Sequence, residues 1–134
     1  MAQGFTLTKS ERLKSRRLIE QLFTEGKSFS NYPFKVLYLV FESGPMSLQS
    51  GFAVSKKNFK KAVDRNRIKR LMREGYRLQK NSLTEKLDNQ KKFMTVFFIY
   101  IGAALPTYEI VSEKIYTALT RLEKFADESA PSNP

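Results

Sequence analysis

Ser55-Lys56-Lys57-Asn58-Phe59-Lys60-Lys61-Ala62-Val63-Asp64-Arg65-Asn66-Arg67-Ile68-Lys69-Arg70-Leu71-Met72-Arg73-Glu74-Gly75-Tyr76-Arg77 is the stretch on which the reading of this chain turns. At 100° per residue, Ile68, Leu71, Met72 and Leu78 fall on one side of a helix, while Arg65, Asn66, Lys69, Arg70, Arg73, Arg77 and Lys80 cover the other. The spacing predicts a helix over about 62–80 that docks on a core and still presents a basic face. From Lys56 to Lys80, eleven lysines and arginines stand against Asp64 and Glu74, in a chain whose net charge is +11. A solvated helix usually mixes signs in i,i+4 pairs, and this face has almost no acid to pair with. Arginine forks and lysine point charges neutralise a polyanion and release its counterions, so such a face suits phosphates.

Working outward, residues 51–55 read as a strand, with 46–49 offering a short strand or hairpin arm before it. Residues 33–41 are rich in β-branched and aromatic side chains and end at the turn Glu42-Ser43-Gly44-Pro45, so they form a second strand. The nearly unbroken apolar run 93–101 has strand length and suits a strand buried on both faces. Helix 16–25 carries Leu18, Ile19, Leu22 and Phe23 at helical spacing, with Ser15 to cap its start and Gly26 to take the αL position at its end. Pro106-Thr107 opens a last helix, 108–125, with Ile115, Leu119 and Leu122 on its apolar face. Residues 81–92 are polar and read as a loop with some helical character. Thr8 and Glu11 have capping-box spacing, but the arginines and lysines around them suggest an irregular basic lead-in.

This order of elements places the chain in the α+β class, as a single two-layer α/β sandwich whose central, mostly antiparallel sheet of about four strands carries packed helices. At 134 residues one domain is expected, over 1–125, followed by a short polar tail, 126–134, expected to be disordered. The chain has no cysteine and no histidine, which removes disulfides, zinc ribbons, thiol nucleophiles and any Ser-His-Asp hydrolase. No stretch approaches the roughly 20 apolar residues of a membrane span, so a soluble cytoplasmic protein is the expectation.

The same basic run carries a family resemblance. Ser55-Lys56-Lys57, Ala62-Val63, Arg65-Asn66-Arg67-Ile68-Lys69-Arg70 and Arg73-Glu74 followed by Arg77 resemble the signature of the bacterial ribonuclease P protein subunit. The likeness extends from about Leu13 to Phe125 in element order as well as motif. It implies a left-handed βαβ crossover through the Arg-Asn-Arg helix, where general rules alone favour a right-handed one. It also implies that the catalytic RNA subunit and the 5′ leader of precursor tRNA are the partners, with one protein per RNA and no membrane. No catalytic residue and no metal or cofactor ligand is then expected in this chain. Magnesium would serve the RNA-catalysed cleavage that frees the mature tRNA 5′ end.

On this reading Lys56, Lys57, Lys60, Lys61, Arg65, Arg67, Lys69, Arg70 and Arg73 contact phosphates, and Asn66 offers donor and acceptor to a base or ribose. Asn66 has a competing role, orienting the flanking arginines through the adjacent turn. Arg77 and Lys80, at the helix end, can simply be solvated. The family's second surface is a cleft between first helix and sheet where aromatics meet the single-stranded leader; Ile19, Phe23 and Tyr38 stand there as candidates. Phe23 on an apolar stripe is as readily core. Ile19 departs from the aromatic that many members carry, and the turn Asn58-Phe59-Lys60-Lys61 lacks their glycine. The alternative from another class is a ribosomal or structural RNA-binding protein without enzymatic role. A stand-alone metal-dependent nuclease ranks last, because Glu74, Asp88 and Glu109 show no ligand spacing.

Overall fold

The computed structural model describes residues 7–44 and 46–128. Four strands, β1 (Lys27–Asn31), β2 (Phe34–Phe41), β3 (Leu48–Val54) and β4 (Phe93–Tyr100), form one sheet in the order β1-β2-β4-β3. β1/β2 and β2/β4 are antiparallel, and β3/β4 is parallel. The parallel pair is joined by α2 (Ala62–Gln79) and α3 (Asn81–Gln90), so the basic helix is the crossover between neighbouring strands. α1 (Arg16–Glu25) precedes β1, and α4 (Tyr108–Glu128) ends the described chain.

Strand alternation separates two apolar layers. Val36, Tyr38 and Val40 of β2, with Met94, Val96 and Phe98 of β4, meet Ile68, Met72 and Tyr76 of α2 and Ile115, Leu119 and Leu122 of α4. This is the expected sandwich of sheet and helices. Leu37, Leu39, Phe41 and Phe93 point the other way and meet Leu18 and Leu22 of α1. A single ten-residue helix cannot cover that second face. Phe97 and Ile99 of β4 and Gly51 and Ala53 of β3 are therefore only partly covered.

Several elements differ from the sequence reading. β1 escaped it because Lys-Ser-Phe-Ser-Asn has no apolar alternation; it is an edge strand in which Phe29 packs against the core. Residues 46–49 and 51–55 contribute to one strand, β3. Residues 81–90 form a full helix, since Leu83 and Leu87, one turn apart, are completely buried. Gly26 lies at φ −67°, ψ 157°, extended rather than αL. A glycine is nonetheless required there, because a Cβ would sit 2.3 Å from the Leu22 carbonyl oxygen as the chain leaves α1. Leu78 is exposed instead of core-facing. It lies roughly 80° round the helix from Ile68 at 100° per residue, beyond the arc buried by Ile68, Met72, Gly75 and Tyr76. α4 continues three residues past the expected boundary, burying Ala126. The rest of the expected tail, 129–134, lies outside the described residues.

Candidate nucleic-acid interface

The turn between β3 and α2 is built from inside outward. Phe59 is buried, its ring centroid 6.0 Å from that of Tyr100. The Asn58 side-chain amide donates to the carbonyls of Ile101 and Gly102, at 3.3 and 3.2 Å. With those two residues anchored to the end of β4, Lys56, Lys57, Lys60 and Lys61 are left exposed. Anchoring by Phe59 gives the turn a definite course without the glycine.

The first arginine of the Arg-Asn-Arg motif takes the structural role that the sequence reading offered to Asn66. Arg65 Nη1 donates to the carbonyl oxygens of Phe59 and Lys60, at 2.7 and 2.8 Å, and so ties the turn to the first turn of α2. Asn66 and Arg67 are exposed, and the Asn66 amide makes no hydrogen bond to the described residues. Arg70 and Arg73 are exposed along the same helix, and Lys69 is half-buried. Two acids share this helix with the row, the half-buried Asp64 and Glu74, and Glu74 is already engaged. Both its oxygens accept from Arg77, at 2.8 and 2.6 Å, a pairing that holds its carboxyl below the usual range. The row thus keeps an excess of uncompensated cations.

Lys80 is not solvated. It is buried and donates to Glu11 at 2.6 Å, and Glu11 also accepts from the Thr8 backbone N–H at 2.9 Å and from the Thr8 hydroxyl. The Thr8/Glu11 capping box therefore forms, on a 3-10 turn at Lys9–Glu11. It sets the lead-in beside β3, where the Leu13 N–H donates to the Ser50 carbonyl. Arg12 and Lys14 are exposed beside it. Sequence reasoning noted both signals without joining them, because the partner of Glu11 lies 69 residues away.

On the α1 face, Phe23 is 49% exposed and meets Phe97 edge-on, centroids 5.4 Å apart and planes at 70°. Ile19, Phe97 and Ile99 are half-buried around them. Tyr38 does not belong here: it lies on the opposite face, buried under α4 and stacked on Phe125. Strand alternation decides this, since Leu37 and Leu39 take the α1-facing positions of β2. The missed residue is Phe97. Its signal was an aromatic inside an apolar run, which fixed a strand but did not say which positions the lone α1 would leave uncovered.

Of the carboxylates considered for metal binding, Glu74 pairs with Arg77, Asp88 accepts from the Ser47 hydroxyl, and Glu109 lies in the first turn of α4. Among the described residues, no three His, Cys, Asp or Glu side chains converge as a metal site requires. No helix among them is long and apolar enough to cross a membrane.

The sequence pattern of the family described as Ribonuclease P matches residues 7–123. A ribonuclease P protein component from Porphyromonas gingivalis is 38% identical over 130 residues, spanning 96% of this chain and 95% of that protein. The solved RNase P protein from Thermotoga maritima superposes with a TM-score of 0.66 at 30% identity, covering 83% of this chain and 96% of that one. The RNase P protein of Staphylococcus aureus has the same fold, with a TM-score of 0.67 at 23% identity over 85% of this chain and 96% of its own.

Proposed function

The chain belongs to the ribonuclease P protein family, and from that membership we propose that it binds the catalytic RNA subunit through the β3–α2 turn and the exposed row of α2. On this reading it holds the 5′ leader of precursor tRNA against the cleft of Phe23 and Phe97. The observation that carries the proposal is the uncompensated row itself. Lys56, Lys57, Lys60, Lys61, Arg67, Arg70 and Arg73 are all exposed, while Glu74 is taken by Arg77. Folding leaves those charges repelling one another, and a phosphate backbone relieves that repulsion while releasing counterions.

The chemistry then belongs to the RNA. On the same reading, which rests on the family membership, the magnesium that the cleavage needs is held and used by the RNA subunit. The protein's part is electrostatic and geometric. Its cations screen repulsion between two polyanions, and exposed aromatic faces stack on unpaired leader bases with little sequence preference. One protein serves one RNA.

The test is leader removal from a precursor tRNA by the cognate RNA subunit at low magnesium, with and without the protein, across a salt series. Stimulation that fades with salt and needs the RNA subunit supports the proposal. Tight RNA binding without stimulation points to a structural RNA-binding role, and cleavage by the protein alone overturns the assignment of chemistry to RNA.

A further inference from the structure

The lead-in and α2 flank an open basic groove that the exposed row alone does not account for. Two adjoining cavities, of about 390 and 400 Å3, share Leu7, Arg12 and Arg73 in their walls. Lys14 and the β3 residues Ser50 to Phe52 also line the first, with Leu13; Arg70, Glu74 and Arg77 complete the second. Among the described residues, Glu74 is the only acid lining either space, and Arg77 already engages both its oxygens. Arg12, Arg70 and Arg73 make no ion pair or side-chain hydrogen bond among the described residues. Residues 1–6, Met-Ala-Gln-Gly-Phe-Thr, contain no acid that could neutralise them.

The walls are held in place by contacts that have nothing to do with the cavity's charge. Glu11 accepts from Lys80 and Thr8, the Gln49 amide donates to the Ser10 carbonyl at 2.8 Å, and the Leu13 N–H donates to the Ser50 carbonyl at 2.9 Å. Leu7 and Leu13 are buried on either side of this segment. An element that carries an unpaired arginine is therefore fixed opposite a helix that carries two more. Arginine forks converging from two walls fit the oxygens of one tetrahedral anion.

We propose that one RNA phosphate is held in this cavity, by Arg12 from the lead-in and by Arg70 and Arg73 from α2, and that the Glu11–Lys80 pair is the latch that keeps the two walls in register. The site rests on the reading of α2 as an RNA interface and extends it to a second chain segment. Arg70 and Arg73 then act from one side of the phosphate, and Arg12 clamps it from the other. Glu11 is a positioning residue: it touches no RNA and acts through the placement of Arg12.

The experiment measures the affinity of the protein for its cognate catalytic RNA subunit across a salt series, for wild type, Arg12→Met, Arg73→Met, the double variant of these two, Glu11→Gln, and Glu11→Gln combined with Arg12→Met. Arg12→Met should weaken binding about tenfold near physiological salt and lower the slope of log affinity against log salt by about one, with the melting temperature unchanged. The double variant should lose less than the product of the two single losses, since both arginines serve one phosphate. Glu11→Gln should weaken binding in the wild-type background and add nothing once Arg12 is gone. Wild-type affinity and slope for Arg12→Met, or strict multiplicativity with Arg73→Met, would overturn the shared pocket while leaving the interface on α2 standing. A wild-type protein that binds the RNA without salt dependence would overturn both.

Discussion

Tyr38 lies flat on Phe125, ring centroids 5.1 Å apart and planes 2° from parallel, on the sheet face away from Phe23. Phe29 closes the group from β1, its ring 6.1 Å from Tyr38 and 5.4 Å from Phe125, and the Arg121 guanidinium lies 4.2 Å over the Phe29 ring. The cluster joins the edge strand, the second strand and the end of α4. Tyr38→Ala should therefore cost stability, about 3–5 kcal/mol as for other buried aromatic truncations, seen as a fall in melting temperature of about 10 °C or more. Leader-dependent affinity of the surviving folded protein should be unchanged. If the variant melts like wild type yet loses leader discrimination, the assignment of Tyr38 to the core is wrong.

The opposite pattern is expected at Phe23, which is half exposed and so loses little burial on truncation. Phe23→Ala should reduce the affinity difference between long-leader and leaderless substrates by the worth of a stacked base, about 1–3 kcal/mol or roughly five- to 150-fold. Phe97→Leu keeps an apolar side chain on β4 but removes the second ring, and should give a smaller loss in the same direction. Gly51 makes that ring possible: a Cβ there would sit 3.0 Å from the Phe97 ring, so Gly51→Ala should tilt the ring and mimic part of the Phe97→Leu effect. The measurement is paired binding of the two substrates by the holoenzyme. A uniform loss on both would mean that the rings pack the fold and do not face the leader.

Arg65 and Arg70, five residues apart on the basic helix, should behave differently. Arg65 donates to two carbonyls of the preceding turn, and hydrogen bonds involving a charged group are worth about 1.5–3 kcal/mol. Arg65→Met should lower both stability and RNA affinity, because the lysines of the turn lose their placement. Arg70 is exposed, so Arg70→Met should leave the melting temperature within the scatter of surface variants while lowering RNA affinity and, by about one, its salt slope. Thermal unfolding alongside the salt series separates the two. Equal melting temperatures for both variants would remove the structural role of Arg65.

What could be read from the sequence followed the range of the interactions. α1 and α2 were legible because periodicity and caps are local: Ser15 accepts from the Leu18 N–H as expected, and Ile68 and Met72 are buried as expected. β1 and α3 were not, because each depends on tertiary partners for burial, Phe29 on Phe125 and Leu83 and Leu87 on the main core. At the candidate site, the exposure of the lysines and arginines followed from charge and period. Which side chains would be consumed internally did not. Arg65 is taken up by a turn six residues back, and Lys80 by an acid near the other end of the chain. The face of Tyr38 was decided by one residue of register, which moves a side chain across the sheet.

The Glu11–Lys80 pair and the Tyr76 hydroxyl give the fold opposite sensitivities to pH. Burial pushes the Glu11 carboxyl up, but hydrogen bonds from Lys80 and Thr8 outweigh it and leave the group below its ordinary value of 4.5. The folded state thus binds this proton less readily than the unfolded chain. The stability it contributes is present above that value and is lost as pH falls through the folded one. Glu74 and Asp127 are lowered in the same sense by Arg77 and Lys86, but both are exposed and contribute less. Tyr76 is the reverse case. Burial raises it well above its ordinary value of 10.0, so the folded state holds the proton more tightly, and that stability is present below this value and lost as pH rises past it. Melting temperature followed from roughly pH 3 to 11 should fall at both ends. Glu11→Gln should make the acid limb shallower, whatever it does to stability at neutral pH, and should soften the alkaline limb slightly because the Glu11 charge also helps to hold the Tyr76 proton, while Tyr76→Phe should flatten only the alkaline limb. An acid limb of unaltered shape in Glu11→Gln would mean that the pair is screened by solvent, and that the lead-in is held by Leu7, Leu13 and the bonds to β3 alone.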